Sequence, residues 1–235
     1  MIRRILSLAV CLASLSARAS ADPLSLQQIL DSLVVSGPPI DAGAPQHIEL
    51  WDNASGPMTA NVVLDFTGRS DAVWMGMYPA GNSANRAFLL ADTMTPADVA
   101  SVAFNQDGSI VIRDGLEPLT TAAGFDGPFG FFAKIASATS DSPVYLFTQA
   151  DLNGGEARAK VFAGNGLTTL RFPGLQPGLF LQNQYLIAWE TGDDGGFNDL
   201  IVSVAGIVPV PEPVSMGILG IASLVALRAR RVRSG

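Results

Sequence analysis

Val99-Ala-Ser-Val-Ala-Phe104, Asn105-Gln-Asp-Gly108 and Ser109-Ile-Val-Ile-Arg113 follow one another without a gap. Two runs rich in branched apolar residues flank a four-residue cluster of Asn, Asp and Gly. Residues of the cluster tolerate the backbone of a tight turn, so the stretch predicts an antiparallel hairpin. The same period of two appears on either side of it. In residues 60–66, Val62, Leu64 and Phe66 face one way, and Asn61, Val63 and Asp65 face the other. In residues 73–78, Val73, Met75 and Met77 oppose Trp74 and Tyr78. Further strands are expected at 87–90, 129–135, 144–148, 158–163, 168–172, 185–190 and 200–204. Many short strands joined by Gly, Asn and Asp turns predict a mainly β domain over residues 38–207. The expected form is a two-sheet β-sandwich, jelly-roll-like.

One helix precedes it. Ser25 with Gln28 three residues on forms a capping-box pattern. Leu26, Ile29, Leu30 and Leu33 then repeat at helical spacing. The helix should stop at 34–37, before Pro38-Pro39, so residues 22–37 read as a helix and linker.

Both ends of the chain read as addresses. Met1-Ile-Arg3-Arg4, an apolar run over 5–15 and Ala19-Ser20-Ala21 have the order of a secretory signal peptide, residues 1–21. Ala17-Arg18-Ala19 is an alternative cleavage site. The only cysteine, Cys11, lies inside this segment. A lipoprotein reading of Leu8-Ala-Val-Cys11 meets the objection that Val10 is bulkier than the residue usual before a lipidated cysteine. With the segment removed, disulfides, thiolate nucleophiles and Cys-ligated metals are excluded from the body.

At the other end, Val208-Pro-Val-Pro-Glu-Pro213 leads into an uncharged run of 14 residues, 214–227, and then Arg228-Ala-Arg-Arg-Val-Arg233. The prolines lack backbone donors and hold φ near one value, so this stretch should be extended and should not continue a strand or helix. As a helix the apolar run reaches roughly 21 Å, short of the ~30 Å hydrocarbon core. The arginines should stay cytoplasmic with the body outside.

The three-part order resembles the PEP-CTERM sorting signal of bacterial exported proteins. Val210, Pro211, Glu212 and Pro213 match its motif, and Arg228, Arg230, Arg231 and Arg233 match its basic end. The resemblance covers residues 208–235. It implies cleavage near Pro-Glu-Pro by an exosortase, a membrane-bound transpeptidase-like protease, with membrane contact through the apolar segment before processing. An ordinary C-terminal membrane anchor is the competing reading.

Subtracting both addresses changes the charge. The whole chain carries −7, but residues 22–207 hold 7 basic and 20 acidic residues, a net charge of −13. That argues against nucleic acid and anionic membranes as partners. Cations, or neutral polymers such as polysaccharide, fit better.

The main candidate site is Trp189-Glu190-Thr-Gly-Asp193-Asp194-Gly-Gly-Phe197-Asn198-Asp199-Leu200. Calcium takes six to eight oxygen ligands in a loop flexible enough to wrap it. Glu190, Asp193, Asp194, Asn198 and Asp199 could supply several of them. An ordinary turn would use the same residue types, because Asp and Asn bond their own backbone and Gly accepts positive φ. Asp151-Leu-Asn153-Gly-Gly-Glu156 is a second acidic loop with the same two readings.

Residues 185–204 resemble the end of an uncharacterised domain family common among PEP-CTERM proteins, with an acidic turn closing on Asp-x-Asp-(Phe/Tyr)-Asn-Asp. Glu190, Asp194, Phe197, Asn198 and Asp199 match. Thr191 and Gly196 replace two of that family's aspartates, which removes two oxygens. Gly130-Phe-Phe132 and 146–153 resemble its earlier strands, extending the similarity over about 125–205, and 26–30 and 74–78 resemble its first half more loosely. The family brings no established activity with it.

Other chemistry has little to rest on. His47 is the single histidine, so a Ser-His-Asp triad would depend on it entirely. One His and no mature Cys leave no zinc site. Gly-x-Ser-x-Gly, P-loop and dinucleotide motifs are absent from the sequence. Paired carboxylates for glycoside hydrolysis cannot be judged from spacing along the chain. Trp51, Trp74 and Trp189 read either as core or as a sugar-binding face. The expected function is therefore a non-enzymatic exported protein of the cell surface or extracellular matrix. A calcium-dependent carbohydrate-binding or adhesive module is the alternative, and a hydrolase of matrix polysaccharide comes third.

Overall fold

The computed structural model describes residues 24–211 apart from 55, 66–71, 91–98, 115–116, 137–141 and 193. The expected signal peptide, Asp193 and residues 212–235, with Glu212, Pro213 and the four arginines, lie outside the described residues. Among the described residues no helix is long and apolar enough to cross a membrane.

The chain opens with helix α1 (Leu26–Leu33) and strands β1 (Val34–Ser36) and β2 (Trp51–Asn53). Next come β3 (Met58–Asp65), β4 (Ala72–Pro79), β5 (Ala87–Leu90), β6 (Val99–Phe104), β7 (Ile110–Asp114) and β8 (Glu117–Ala122). Then follow β9 (Phe129–Ala136), β10 (Val144–Phe147), a 3-10 turn (Ala150–Asn153) and β11 (Ala159–Ala163). The series closes with β12 (Thr169–Leu170), β13 (Gly178–Leu179), β14 (Gln184–Trp189), β15 (Leu200–Ala205) and β16 (Ile207–Pro209).

The opening hairpin is present as β6–β7. Asn105 N–H donates to the Ser109 carbonyl at 2.8 Å, and Gly108 sits at φ +76°, where a side chain would be strained. The Asp107 carboxylate accepts from Ser109 Oγ and from its backbone N–H, which holds its pKa below the usual value.

Among the described residues the strands form three antiparallel sheets. The largest runs β11-β14-β15-β3-β6-β7-β8. A second runs β16-β2-β9-β4-β5, with β10 also paired to β9. These two share one core, so the body is sandwich-like. Met75, Met77, Phe129 and Phe131 from the second sheet meet Val102, Ile112, Ile187 and Val202 from the first. The third sheet is small, β1-β12-β13.

The capping box of α1 forms as expected. Ser25 Oγ accepts from Gln28 N–H, and Gln28 Oε1 accepts from Ser25 N–H at 2.8 Å. Leu26, Ile29, Leu30 and Leu33 are buried on its inner face. They pack on Phe162, Leu186, Ala188 and Ile201, which lie on the outer side of the largest sheet. Strands β14 and β15 are therefore buried on both faces, which explains their nearly continuous apolar sequence.

Two local expectations are corrected. The segment after the helix is strand β1, paired to β12, where a linker was expected. Pro209 was expected to end strand structure, yet it closes β16, opposite Trp51. β16 lies at a sheet edge, where a residue without an N–H loses no ladder bond to a second neighbour. The fold continues to Val210, whose N–H donates to the Leu50 carbonyl at 3.0 Å.

Candidate functional site: the acidic loop

The loop between β14 and β15 hangs from two neighbouring strands of the largest sheet, in register from Gln184–Ala205 to Trp189–Leu200. Glu190 follows β14 directly and is only 3% exposed. Its Oε1 accepts from Gly192 N–H at 3.0 Å, and its Oε2 accepts from Phe197 N–H at 2.9 Å. Asp199 answers from the β15 side. Its Oδ2 accepts from Thr191 N–H at 2.7 Å, Thr191 Oγ1 at 2.8 Å and Gly192 N–H at 3.1 Å. Gly192 N–H is thus shared by two carboxylates. Asp194 Oδ1 accepts from Gly196 N–H at 2.8 Å. Asn198 serves both sides: its Nδ2 donates to the Leu24 carbonyl at 2.6 Å and ties the loop to the segment before α1, while its Oδ1 lies over Gly196 beside Asp194 Oδ1.

The structure therefore gathers Glu190, Asp194, Asp199 and the Oδ1 of Asn198, while Asp193 lies outside the described residues. Burial pushes the Glu190 carboxyl above its ordinary value near 4.5, and the neighbouring charges of Asp199 and Asp194 push the same way, against the hydrogen bond from Phe197. Phe197 adopts φ +51°, in a region that bulky side chains rarely enter. Its N–H bond to Glu190 helps hold that conformation, and Lys160 Nζ stands 4.6 Å from the ring centroid.

Four of the loop's carboxylate oxygens, both of Glu190, Asp194 Oδ1 and Asp199 Oδ2, already accept backbone N–H groups. A calcium ion would have to compete with Gly192, Thr191 and Phe197 for them. Among the described residues no group of three or more His, Cys, Asp or Glu is placed to hold a metal ion. The same hydrogen bonds let the loop serve as a turn that carries its own acceptors for its backbone donors.

The second acidic loop is built in the same way. Asn153 Nδ2 donates to the Phe147, Gln149 and Glu156 carbonyls, and Asn153 Oδ1 accepts from Phe147 N–H. Arg158 joins the two loops: Nη1 donates to the Gly192 carbonyl at 2.7 Å, and Nη2 pairs with Glu156 at 2.9 Å. Nothing in the spacing of the sequence singled out Arg158, because its partners lie 2 and 34 positions away. His47 is exposed on the segment before β2. Trp51 and Trp189 are fully buried core residues, and Trp74 is half-buried on an outer face.

Because its pKa is raised on folding, Glu190 stabilises the fold relative to an ordinary glutamate only at low pH. That contribution is lost as pH rises from about 4.5 through the raised value. Urea melts of wild type and Glu190→Gln across pH 4 to 8 should show the variant gaining on wild type as pH rises. A constant difference across that range would remove the burial argument. No family model matches this chain, no curated protein matches it, and no solved structure matches it.

Proposed function

We propose that this chain is an exported, non-enzymatic protein, sorted through its C-terminal signal and left on the cell surface or in extracellular matrix. The observation that carries the reading is the tail: Val210-Pro211-Glu212-Pro213, an uncharged run over 214–227, and four arginines between 228 and 233. An exosortase-type membrane protease is the implied partner, with membrane contact through 214–227 until cleavage. The end of the fold supports this. β16 ends at Pro209 and Val210 N–H is the last backbone bond among the described residues, immediately before Pro211-Glu212-Pro213. A protease cleft needs extended backbone that is not committed to a sheet.

The non-enzymatic reading is supported by how the acidic loop uses its carboxylates. Glu190 and Asp199 are spent on backbone donors, as a structural turn requires. The scaffold is read as a sandwich of the jelly-roll kind. Its connections β3–β4, β5–β6, β8–β9 and β15–β16 all pass from one large sheet to the other, which supports that form.

Intact-mass measurement of the protein recovered from its own cells tests the sorting reading. The expected chain begins at Asp22 and ends near residue 213. Replacing Pro211, Glu212 and Pro213 by alanine should leave the tail attached. Recovery of wild type with residues 214–235 intact would overturn the proposal.

A further inference from the structure

We propose that the outer face of the second large sheet binds a carboxylate-bearing polysaccharide. The inference rests on the export reading only for where such a polymer would be met.

The face is made by β4, β5, β9 and β10. Their inward residues fill the shared core, so the alternate residues face out. Cross-strand register arranges them in rows. Trp74 pairs with Lys134, and Lys134 pairs with Tyr145. In the next row Gly76 pairs with Phe132, and Phe132 with Phe147. Tyr78 then pairs with Gly130. Tyr78, Phe132 and Phe147 form a buried lower tier. Trp74, Phe88, Tyr145, Lys134 and Arg86 lie over it, half-buried, with Phe88 38% exposed.

The two cations stand on rings. Lys134 Nζ is 4.0 Å from the Trp74 centroid and 5.5 Å from that of Phe88. The Arg86 guanidinium carbon is 3.7 Å from the Tyr145 centroid, and its Nε donates to the Ser83 carbonyl. Neither cation has a carboxylate partner among the described residues. The sequences of β4, β5, β9 and β10 contain no Asp or Glu at all. On a body of net charge −13 this is a local reversal of sign.

The chemistry selects the occupant. The ring surface the cations leave uncovered accepts the C–H surface of a pyranose, and the guanidinium and ammonium on the rings accept carboxylates. Trp74 and Tyr145 are two strand spacings apart, roughly 10 Å, the reach of a short run of sugar rings. A peptide added as a strand needs unpaired backbone, which the middle of this face does not offer. A second copy docking face to face would set Lys134 and Arg86 against their own equivalents. An anionic membrane is an extended plane that would bring the surrounding acidic surface against it as well, whereas a single polymer chain can lie along this face alone.

The test is affinity electrophoresis of the purified full chain through polygalacturonate, and through the same polymer fully methyl-esterified. At about 0.1 M salt, charges more than about 10 Å away are screened while contact pairs persist. Retardation by the acid form and little by the ester is expected. Lys134→Gln with Arg86→Gln should weaken it about tenfold or more, and so should Trp74→Ala, while Lys134→Arg should retain it. Circular dichroism and melting would check that each variant is folded. No retardation by polygalacturonate, equal retardation by the ester, or indifference to the folded variants would overturn the proposal. Equal retardation by polyglutamate would reduce the face to an unselective anion patch and overturn it too. A chain processed normally in its cells that fails here loses the polysaccharide face alone. A chain that binds here but keeps its tail loses the sorting reading alone.

Discussion

Trp51→Ala should destabilise the protein by about 3–5 kcal/mol, the range for emptying a buried tryptophan site. The residue is fully buried. Its ring stands edge-on to Phe131 at 5.0 Å within its own sheet, and to Tyr185 at 6.2 Å on the facing sheet. It therefore couples the two large sheets directly, and alanine leaves a void lined from both sides. Its Nε1–H is buried without a hydrogen-bond partner among the described residues. Stranding that donor already costs about 1–3 kcal/mol. Trp51→Phe loses area but also removes the stranded donor, so it should cost much less, about 1 kcal/mol. Urea denaturation of the three proteins at neutral pH measures both differences. Equal losses for Ala and Phe would show that the void is not what matters.

The second large effect is expected at Gly76. A Cβ there would overlap the Ala87 carbonyl oxygen and stand 2.5 Å from the Phe132 ring. The ring fills the space because glycine leaves it, directly across the strand pair. One of the two obstacles is backbone at the irregular β4–β5 pairing, which cannot swing aside. Gly76→Ala should cost about 3 kcal/mol, the upper part of the range for overpacking. Gly81 is the control. It has positive φ but nothing within 4 Å of a Cβ, so Gly81→Ala should cost only about 1 kcal/mol, from conformation alone. Thermal melts of the two variants should separate clearly. Similar shifts would mean that space at Gly76 is not the constraint. Loss of the Phe132 seat should also disturb the aromatic tier above it.

These two sites show what could be read along the chain and what could not. The helix was legible because Ser25, Gln28 and the leucines carry local instructions. The β6–β7 hairpin was legible because Asn105 to Gly108 fix a turn by their own backbone preferences. The strands at 87–90, 129–136 and 200–205 were legible through period and composition. β1, β2, β8, β13 and β16 were not expected. All but β8 have only two or three residues, and Pro118 and Pro209 within β8 and β16 argue against a strand unless it lies at an edge, which only the sheet order reveals. The two-sided burial of β14 was equally hidden, since it depends on α1 arriving from more than 150 residues upstream.

The same division holds at the site. Asp, Asn and Gly between 190 and 199 announced a turn or a cation loop, and composition could not choose between them. What pattern along the chain does not show is which oxygen meets which N–H, as at Glu190 and Phe197. The outer aromatic face was invisible for another reason. Trp74, Lys134 and Tyr145 become neighbours only through the register of three strands.

The Val210–Leu50 hydrogen bond has a mechanical consequence. If the chain is fastened at its C-terminal end, tension reaches the sheet first through Val210 and β16. That strand has three residues, and its proline offers no N–H to the ladder. It is held chiefly by Ile207, which is fully buried. Under load β16 would yield before the long central strands, and its release would bare β2 and Trp51. The body would then be set on its support as a rigid block with a weak last course, not as a bead on a string.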